Sequence, residues 1–357
     1  MTSSDPAPLA SDPPTDPLDE ARTDPRAEAT ADALAERLAA GDRRALARGV
    51  TLIESTRPDH RRAAAALVRR LHALPRNTLR LGLSGTPGVG KSTFIEAFGL
   101  KLAEQGHKLA VLAVDPSSTR TGGSILGDKT RMEQLSRHPN AFIRPSPSGA
   151  ALGGVARRTR EAILLCEAAG FDLVMVETVG VGQSETMVAD MTDIFLLLMA
   201  PAGGDELQGV KRGIMEICDM ILVNKADGDL KTTAERTRAD YASALRLLRG
   251  RPQDPGGFPK AAAVSAVSQA GLDKAWEEIA GLAEWRRETG VLEARRRQQA
   301  VAWFRAEVEE SLLRRFRTRP AVADLWPRLE ERVAAGETPP QLAAARALAA
   351  FGLGDED

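Results

Sequence analysis

Gly85-Thr86-Pro87-Gly88-Val89-Gly90-Lys91-Ser92 follows the apolar run 79–83 and precedes Thr93-Phe94-Ile95-Glu96-Ala97-Phe98. The run reads as a strand and the hexapeptide as the start of a helix. Between them, glycines let the backbone curl so that its N–H groups face an anion, and the helix N-terminus adds its dipole. In that order Lys91 reaches the β- and γ-phosphates of a nucleotide, and the Ser92 hydroxyl is placed to ligate Mg²⁺. The plainer reading is an ordinary Gly-Pro turn between strand and helix, which leaves the motifs further along the chain unexplained.

Working outward, short β-rich runs at 79–83, 109–114, 142–143, 173–177, 194–199, 220–224 and 262–265 alternate with helical stretches. Alternation of this kind predicts an α/β fold, a mostly parallel sheet flanked by helices, spanning 79–271. Ligands in such sheets bind at the carboxyl ends of the strands. Residues 1–30 are acidic and rich in proline, and read as a disordered tail. Residues 31–78 carry leucines at helical spacing, a helical extension ahead of the sheet. Residues 272–357 return to helical spacing. There Val301, Phe304, Val308 and Leu312 form an apolar stripe, either facing a core or contacting a second subunit. Arg295-Arg296-Arg297 reads as a solvated helix face.

Composition narrows the function classes. The 357 residues are 43% hydrophobic, enough for a sizeable core. Lys and Arg number 48 against 49 Asp and Glu, a net charge of -1 that predicts neither a nucleic-acid partner nor an anionic membrane surface. No apolar run approaches the ~20 residues that cross a bilayer. No basic segment followed by an apolar stretch opens the chain, so no secretory signal is expected. Cys166 and Cys218 lie far apart in apolar surroundings and read as reduced core residues, as in the cytoplasm.

The chemistry clusters at strand ends. Run 173–177 ends in Glu177, followed by Thr178-Val179-Gly180. An acid here holds the hydration shell of Mg²⁺, and a glycine three residues on offers its N–H to a γ-phosphate. Glu replaces the usual Asp and is one methylene longer, so action through water suits it better than direct ligation. Run 220–224 leads into Asn224-Lys225-Ala226-Asp227. The Asp227 carboxylate can accept from guanine N1–H and the exocyclic amine, donors that adenine lacks. Ser265-Ala266-Val267 ends the next strand, where a backbone N–H is placed for guanine O6. Asp115 ends run 109–114, either as a Mg²⁺-linked acid or as part of a helix-capping turn. Residues 122–131 form a glycine-rich polar loop suited to a first nucleotide switch, and 203–213 form another. Either is also readable as a mobile surface loop.

These strings together, with Val114-Asp115-Pro116-Ser117-Ser118, the segment Gly123 to Met132 and Glu177 to Gln183, resemble one family, the MeaB/ArgK type of methylmalonyl-CoA mutase-associated GTPases. The likeness runs from roughly residue 35 to 320. It implies a homodimeric GTPase with an N-terminal helical extension and a C-terminal dimerisation arm, using GTP/GDP and Mg²⁺. It would serve an adenosylcobalamin-dependent acyl-CoA mutase in cofactor loading, protection and reactivation, with a cobalamin adenosyltransferase as a further partner. Carried over by motif, Gly85 to Thr93 cradle the phosphates, with Lys91 and Ser92 on phosphate and Mg²⁺. Asp115, Asp128 and Glu177 are the switch acids, with Gly180 beside the γ-phosphate. Asn224, Lys225, Asp227, Ser265, Ala266 and Val267 surround guanine. Lys211, in the 203–213 loop, relays nucleotide state to the partner.

Rival readings lack their chemistry. A metal-insertion GTPase needs a His-rich tract or Cys-x-x-Cys, whereas His60, His72, His107 and His138 are scattered. A partitioning-type ATPase carries a second lysine where this chain has Thr86. A kinase-like transport regulator would show a His-Arg-Asp catalytic loop, and none is present. One departure has a kinetic consequence. In Ras-like switches the water-orienting Gln follows the glycine directly, whereas here Val181 follows Gly180 and the nearest candidate is Gln183. Slow intrinsic hydrolysis is expected. Asp227→Asn should weaken guanine nucleotides and favour xanthine ones, because an amide donates to the xanthine carbonyl; competition titrations with GDP and XDP measure the exchange.

Overall fold

The computed structural model describes residues 24–72, 74, 77–114, 132–145, 152–178, 184–201, 212–247, 251 and 253–353. The first helices are α1 (Pro25–Ala39), α2 (Arg43–Glu54) and α3 (Pro58–His72). Strands and helices then alternate through β1 (Leu79–Gly85), α4 (Lys91–Glu104), β2 (Leu109–Val114), α5 (Glu133–Arg137), β3 (Ala141–Arg144) and α6 (Leu152–Ala168). Next come β4 (Leu173–Thr178), α7 (Ser184–Ala189), β5 (Ile194–Met199), α8 (Arg212–Ile217), β6 (Met220–Val223), α9 (Lys231–Leu247) and β7 (Lys260–Ala263). The chain closes with α10 (Leu272–Glu288), α11 (Val291–Thr318), α12 (Pro320–Ala334) and α13 (Pro340–Phe351). No helix among the described residues is long and apolar enough to cross a membrane.

Two compact units divide the chain: Met1–Thr78 with Arg160–Asp172, and Leu79–Thr159 with Leu173–Asp357. In the first, α1 begins at Pro25, inside the stretch expected to be tail up to residue 30. The cause is local: Asp24 accepts the Arg26 N–H at 3.0 Å, and proline at the first helical position presets φ. Asp42 caps α2 the same way, accepting from Arg44 and Ala45. Leu38, Leu46, Leu67 and Leu71 form the unit's apolar interior. Arg70 of α3 pairs with Glu28 and Asp32 of α1.

The second unit holds a seven-stranded sheet in the order β3-β2-β4-β1-β5-β6-β7, every neighbouring pair parallel. β1, β2, β4, β5 and β6 are buried along their whole length, which is why they read as continuous apolar runs. The chain leaves β1 toward β2 on one side and later returns past it to β5 on the other. The carboxyl end of β1 therefore lies between those of β4 and β5, with Leu83 beside Glu177 and Gly85 beside Leu198. Phe94 and Phe98 of α4 stack with ring centroids 5.2 Å apart, and both are fully buried. Strand β7 occupies 260–263 rather than the expected 262–265. Beyond Ala263 the side chains turn to the loops at the strand ends, where Ser265 meets Asp227.

The α11 stripe does not face a core. Val301, Phe304, Val308 and Leu312 are 51%, 68%, 42% and 56% exposed, while Leu292 and Gln299 are the buried residues of that helix. The arginine run is not a solvated face either. Arg295 donates to the carbonyls of Ala189 and Thr192, each at 3.0 Å, and Arg296 grips the Asp193 carboxylate at 2.9 and 2.6 Å. Of the three, Arg297 alone is exposed.

At the amino ends of β5, β6 and β7 lies a buried charge network. Arg286, 1% exposed, donates to Asp219 at 2.6 Å, to Asp254 at 2.7 and 2.8 Å, and to the Asp193 carbonyl at 2.8 Å. Arg251 adds a second guanidinium at 2.5 Å from Asp219. Asp219 in turn accepts the Phe195 N–H at 2.7 Å, tying β6 to β5. Burial opposes charge on Asp219, but the guanidiniums of Arg286, Arg295 and Arg251 together outweigh it and hold the carboxyl below its ordinary value. Arg286→Met strands these carboxylates, so it should cost about 3–5 kcal/mol in urea unfolding at neutral pH. Because the Asp219 carboxyl is lowered in the fold, its contribution is complete above the ordinary carboxylate range and is lost as pH falls through the folded value. The gap between wild type and Arg286→Met should narrow there.

Candidate functional site

β1 ends at Gly85 and α4 begins at Lys91, so the expected phosphate loop is the connection between them. Gly90 caps α4 with φ 89°, left-handed backbone that favours glycine. It also lacks room, since a Cβ there would stand 2.9 Å from Asn224 Nδ2. Thr86, Pro87 and Gly88 are exposed, Val89 is buried, and Ser92 and Thr93 occupy the first turn of α4. The N–H groups of Lys91, Ser92 and Thr93 have no intrahelical acceptor. Lys91 folds back over the loop, Nζ donating to Gly85 O at 2.6 Å and Thr86 O at 3.3 Å. Burial lowers its pKa, opposed by the charges of Glu177 and Glu185. A group so placed gains most from an anion, which relieves the cost of burying a cation.

Asn224 joins three segments. Its Nδ2 donates to Val89 O at 3.0 Å, and its Oδ1 accepts the Ala266 N–H at 3.1 Å. Lys225 adopts φ 59° and reaches across to donate to Gly88 O at 2.8 Å. Asp227 Oδ2 accepts from the Ser265 hydroxyl, whose oxygen accepts the Ser268 N–H at 3.0 Å. The Asp227 carboxylate is thus held in one orientation. The backbone donors of Ser265 and Ala266 are engaged inside the protein, Ser265 with Ala270 O at 2.9 Å and Ala266 with Asn224. A base oxygen at this point must share the Ala266 donor with Asn224. Val267 is exposed.

Glu177 lies at the end of β4, 3% exposed. Next to it Thr178 Oγ1 and Ser84 Oγ share a hydrogen bond of 2.9 Å, clasping β4 to β1 just before the phosphate loop. Asp115, Asp128, Gly180 and Lys211 lie outside the described residues, as do 122–131 and 203–211. Among the described residues no three His, Cys, Asp or Glu side chains group as a metal site. Sequence reasoning did not find the Asn224 and Lys225 bonds to the loop carbonyls, nor the Ser84–Thr178 clasp. Backbone acceptors leave no trace in residue spacing.

A strand–loop–helix anion cradle, closed by an Asn-Lys-x-Asp turn at the neighbouring strand ends, defines a P-loop protein of the guanine-nucleotide-binding class. The chain belongs to the family described as methylmalonyl Co-A mutase-associated GTPase MeaB, whose model matches residues 46–321. It is a GTPase. A putative GTPase of Caulobacter vibrioides is 57% identical over 317 residues, covering 89% of this chain and 96% of that one. The mitochondrial methylmalonic aciduria type A homolog of Mus musculus is 49% identical over 324 residues, covering 88% of this chain and 78% of that one. A crystal structure described as an LAO/AO transport system kinase matches with a TM-score of 0.70 at 38% identity, covering 91% of this chain and 98% of that one.

Asn224→Ala removes both ends of the bridge between Val89 and Ala266. It should weaken GDP binding by about one to two orders of magnitude, as each stranded buried partner costs about 1–3 kcal/mol. Fluorescent-nucleotide titration reads the loss.

Proposed function

We propose that this GTPase serves an adenosylcobalamin-dependent acyl-CoA mutase, methylmalonyl-CoA mutase first among them, in loading, protecting and reactivating its cofactor. The observation that carries the reading is the family match across 46–321, supported by the likeness to the mouse methylmalonic aciduria homolog. Lys91 and the first-turn N–H groups of α4 hold the phosphates, and Asp227, oriented by Ser265, selects guanine. A hydroxyl at Ser92 and the buried Glu177 carboxylate are hard oxygen donors that suit Mg²⁺, joined by Asp115 and Asp128. When bound, Mg²⁺ neutralises the β- and γ-phosphate oxygens. Gly180 offers its N–H to the γ-phosphate, and Lys211 relays the nucleotide state to the client. Hydrolysis is slow alone because no glutamine follows Gly180.

The exposed stripe of α11 is the contact between two copies, an apolar helix face with no core of its own to cover. The buried, free thiols of Cys166 and Cys218 fit a reducing compartment, the cytoplasm. GTP turnover by the purified chain, with and without the host's adenosylcobalamin-dependent mutase and with ATP as control, tests the reading. GTP-selective turnover that rises with the mutase is expected. A rate indifferent to the mutase removes the client and leaves the GTPase.

A further inference from the structure

α7 is six residues long and lies between β1, the strand that leads into the phosphate loop, and α11. So short a helix has no independent stability, and its orientation comes from what it packs against. On one side Val188, with Thr192 from the turn that follows the helix, presses on β1 at Gly82. A Cβ at Gly82 would stand 3.0 Å from Val188 Cγ1 and 2.7 Å from Thr192 Oγ1. At its start α7 carries Glu185, buried, whose charge acts on Lys91. Its other end runs into the turn 190–193, and α11 grips that end by the backbone.

The grip is specific in its geometry. Arg295 donates to Ala189 O and Thr192 O, each at 3.0 Å, and Gln299 donates to Thr192 O at 2.8 Å. Trp303 Nε1 adds a longer bond to Asp190 O at 3.3 Å. These three sit four residues apart, on one face of α11. They add bonds to carbonyls at a helix C-terminus and its following turn, where Ala189 O otherwise accepts only a long 3.5 Å bond from the Thr192 N–H, and the Arg295 charge suits that end of a helix. By the same periodicity Val301, Phe304, Val308 and Leu312 lie on the opposite face, exposed.

We propose that Arg295 and Gln299 are positioning residues for GTP hydrolysis: by holding the carbonyl end of α7 they fix the helix that packs Val188 against β1 at Gly82, three residues before the phosphate loop opens at Gly85. The inference rests on the GTPase activity and not on the mutase; a turnover rate indifferent to the mutase leaves every outcome below unchanged.

The test uses the full chain with Arg295→Met, Arg295→Lys and Gln299→Leu, and Arg297→Ala as an exposed neighbour. Phosphate release gives kcat and KM, fluorescent GDP gives affinity, and thermal melting gives stability. Arg295→Met and Gln299→Leu should lower kcat about tenfold, the scale of a small misplacement at a reacting centre. KM and GDP affinity should stay within about twofold, the signature of an interaction that matters in the transition state alone. Arg295→Lys should recover part of the rate, because one ammonium reaches one of the two carbonyls. Arg297→Ala should match wild type. Unchanged kcat in Gln299→Leu overturns the proposal. So does a kcat that falls only in step with GDP affinity and melting temperature, the pattern of a merely structural clamp. If Arg295→Met does not fold, Gln299→Leu, close in volume, decides alone.

Discussion

The Asn224 carboxamide is the point on which the nucleotide site depends. One amide spends a donor on the phosphate loop at Val89 and an acceptor on the Ala266 backbone, so phosphate and base halves share a fixed spacing. The amide is buried, and a buried amide short of either partner is costly. That cost makes the arrangement all-or-none. Gly90 follows from it, since any side chain there would meet the amide. Lys225, in left-handed backbone, adds a second strap over the loop at Gly88.

The amino end of the sheet answers a different problem. Parallel strands begin together, and β5, β6 and β7 start near Asp193, Asp219 and Lys260. Burying Asp193 and Asp219 is tolerable because Arg251, Arg286 and Arg296 come with them. Two of these arginines sit on α10 and α11, beyond the sheet. The charge network thereby sets where the C-terminal helices leave the domain, and places α11 along the end of α7.

The parts legible in the sequence are those whose physics is local. Gly85 to Ser92 needs a strand before it and a helix after it, and both requirements are written within a few residues on either side. Buried parallel strands show as unbroken apolar runs, so seven strands stood where expected, with ends shifted by a few residues. The shifts fall where a side chain leaves the ladder for a loop, as beyond Ala263. Arg295 and Arg296 read as solvated in the sequence because helical periodicity registers a charge and not its acceptor. Their acceptors are carbonyls and a carboxylate about a hundred residues earlier.

The sequence by itself determined the α/β class, the strand–loop–helix of the phosphate loop, the Asn-Lys-x-Asp turn and the family. Each rests on residue types at short, fixed spacing, and chain connectivity enforces that spacing in any fold. Tertiary structure alone decided that Asn224 bridges the loops, that Asp219 and Arg286 are a buried pair, and that α11 turns arginines inward and leucine and phenylalanine outward. Those outcomes depend on which distant segments meet. Burial, backbone acceptors and charge pairing come into being only when they do.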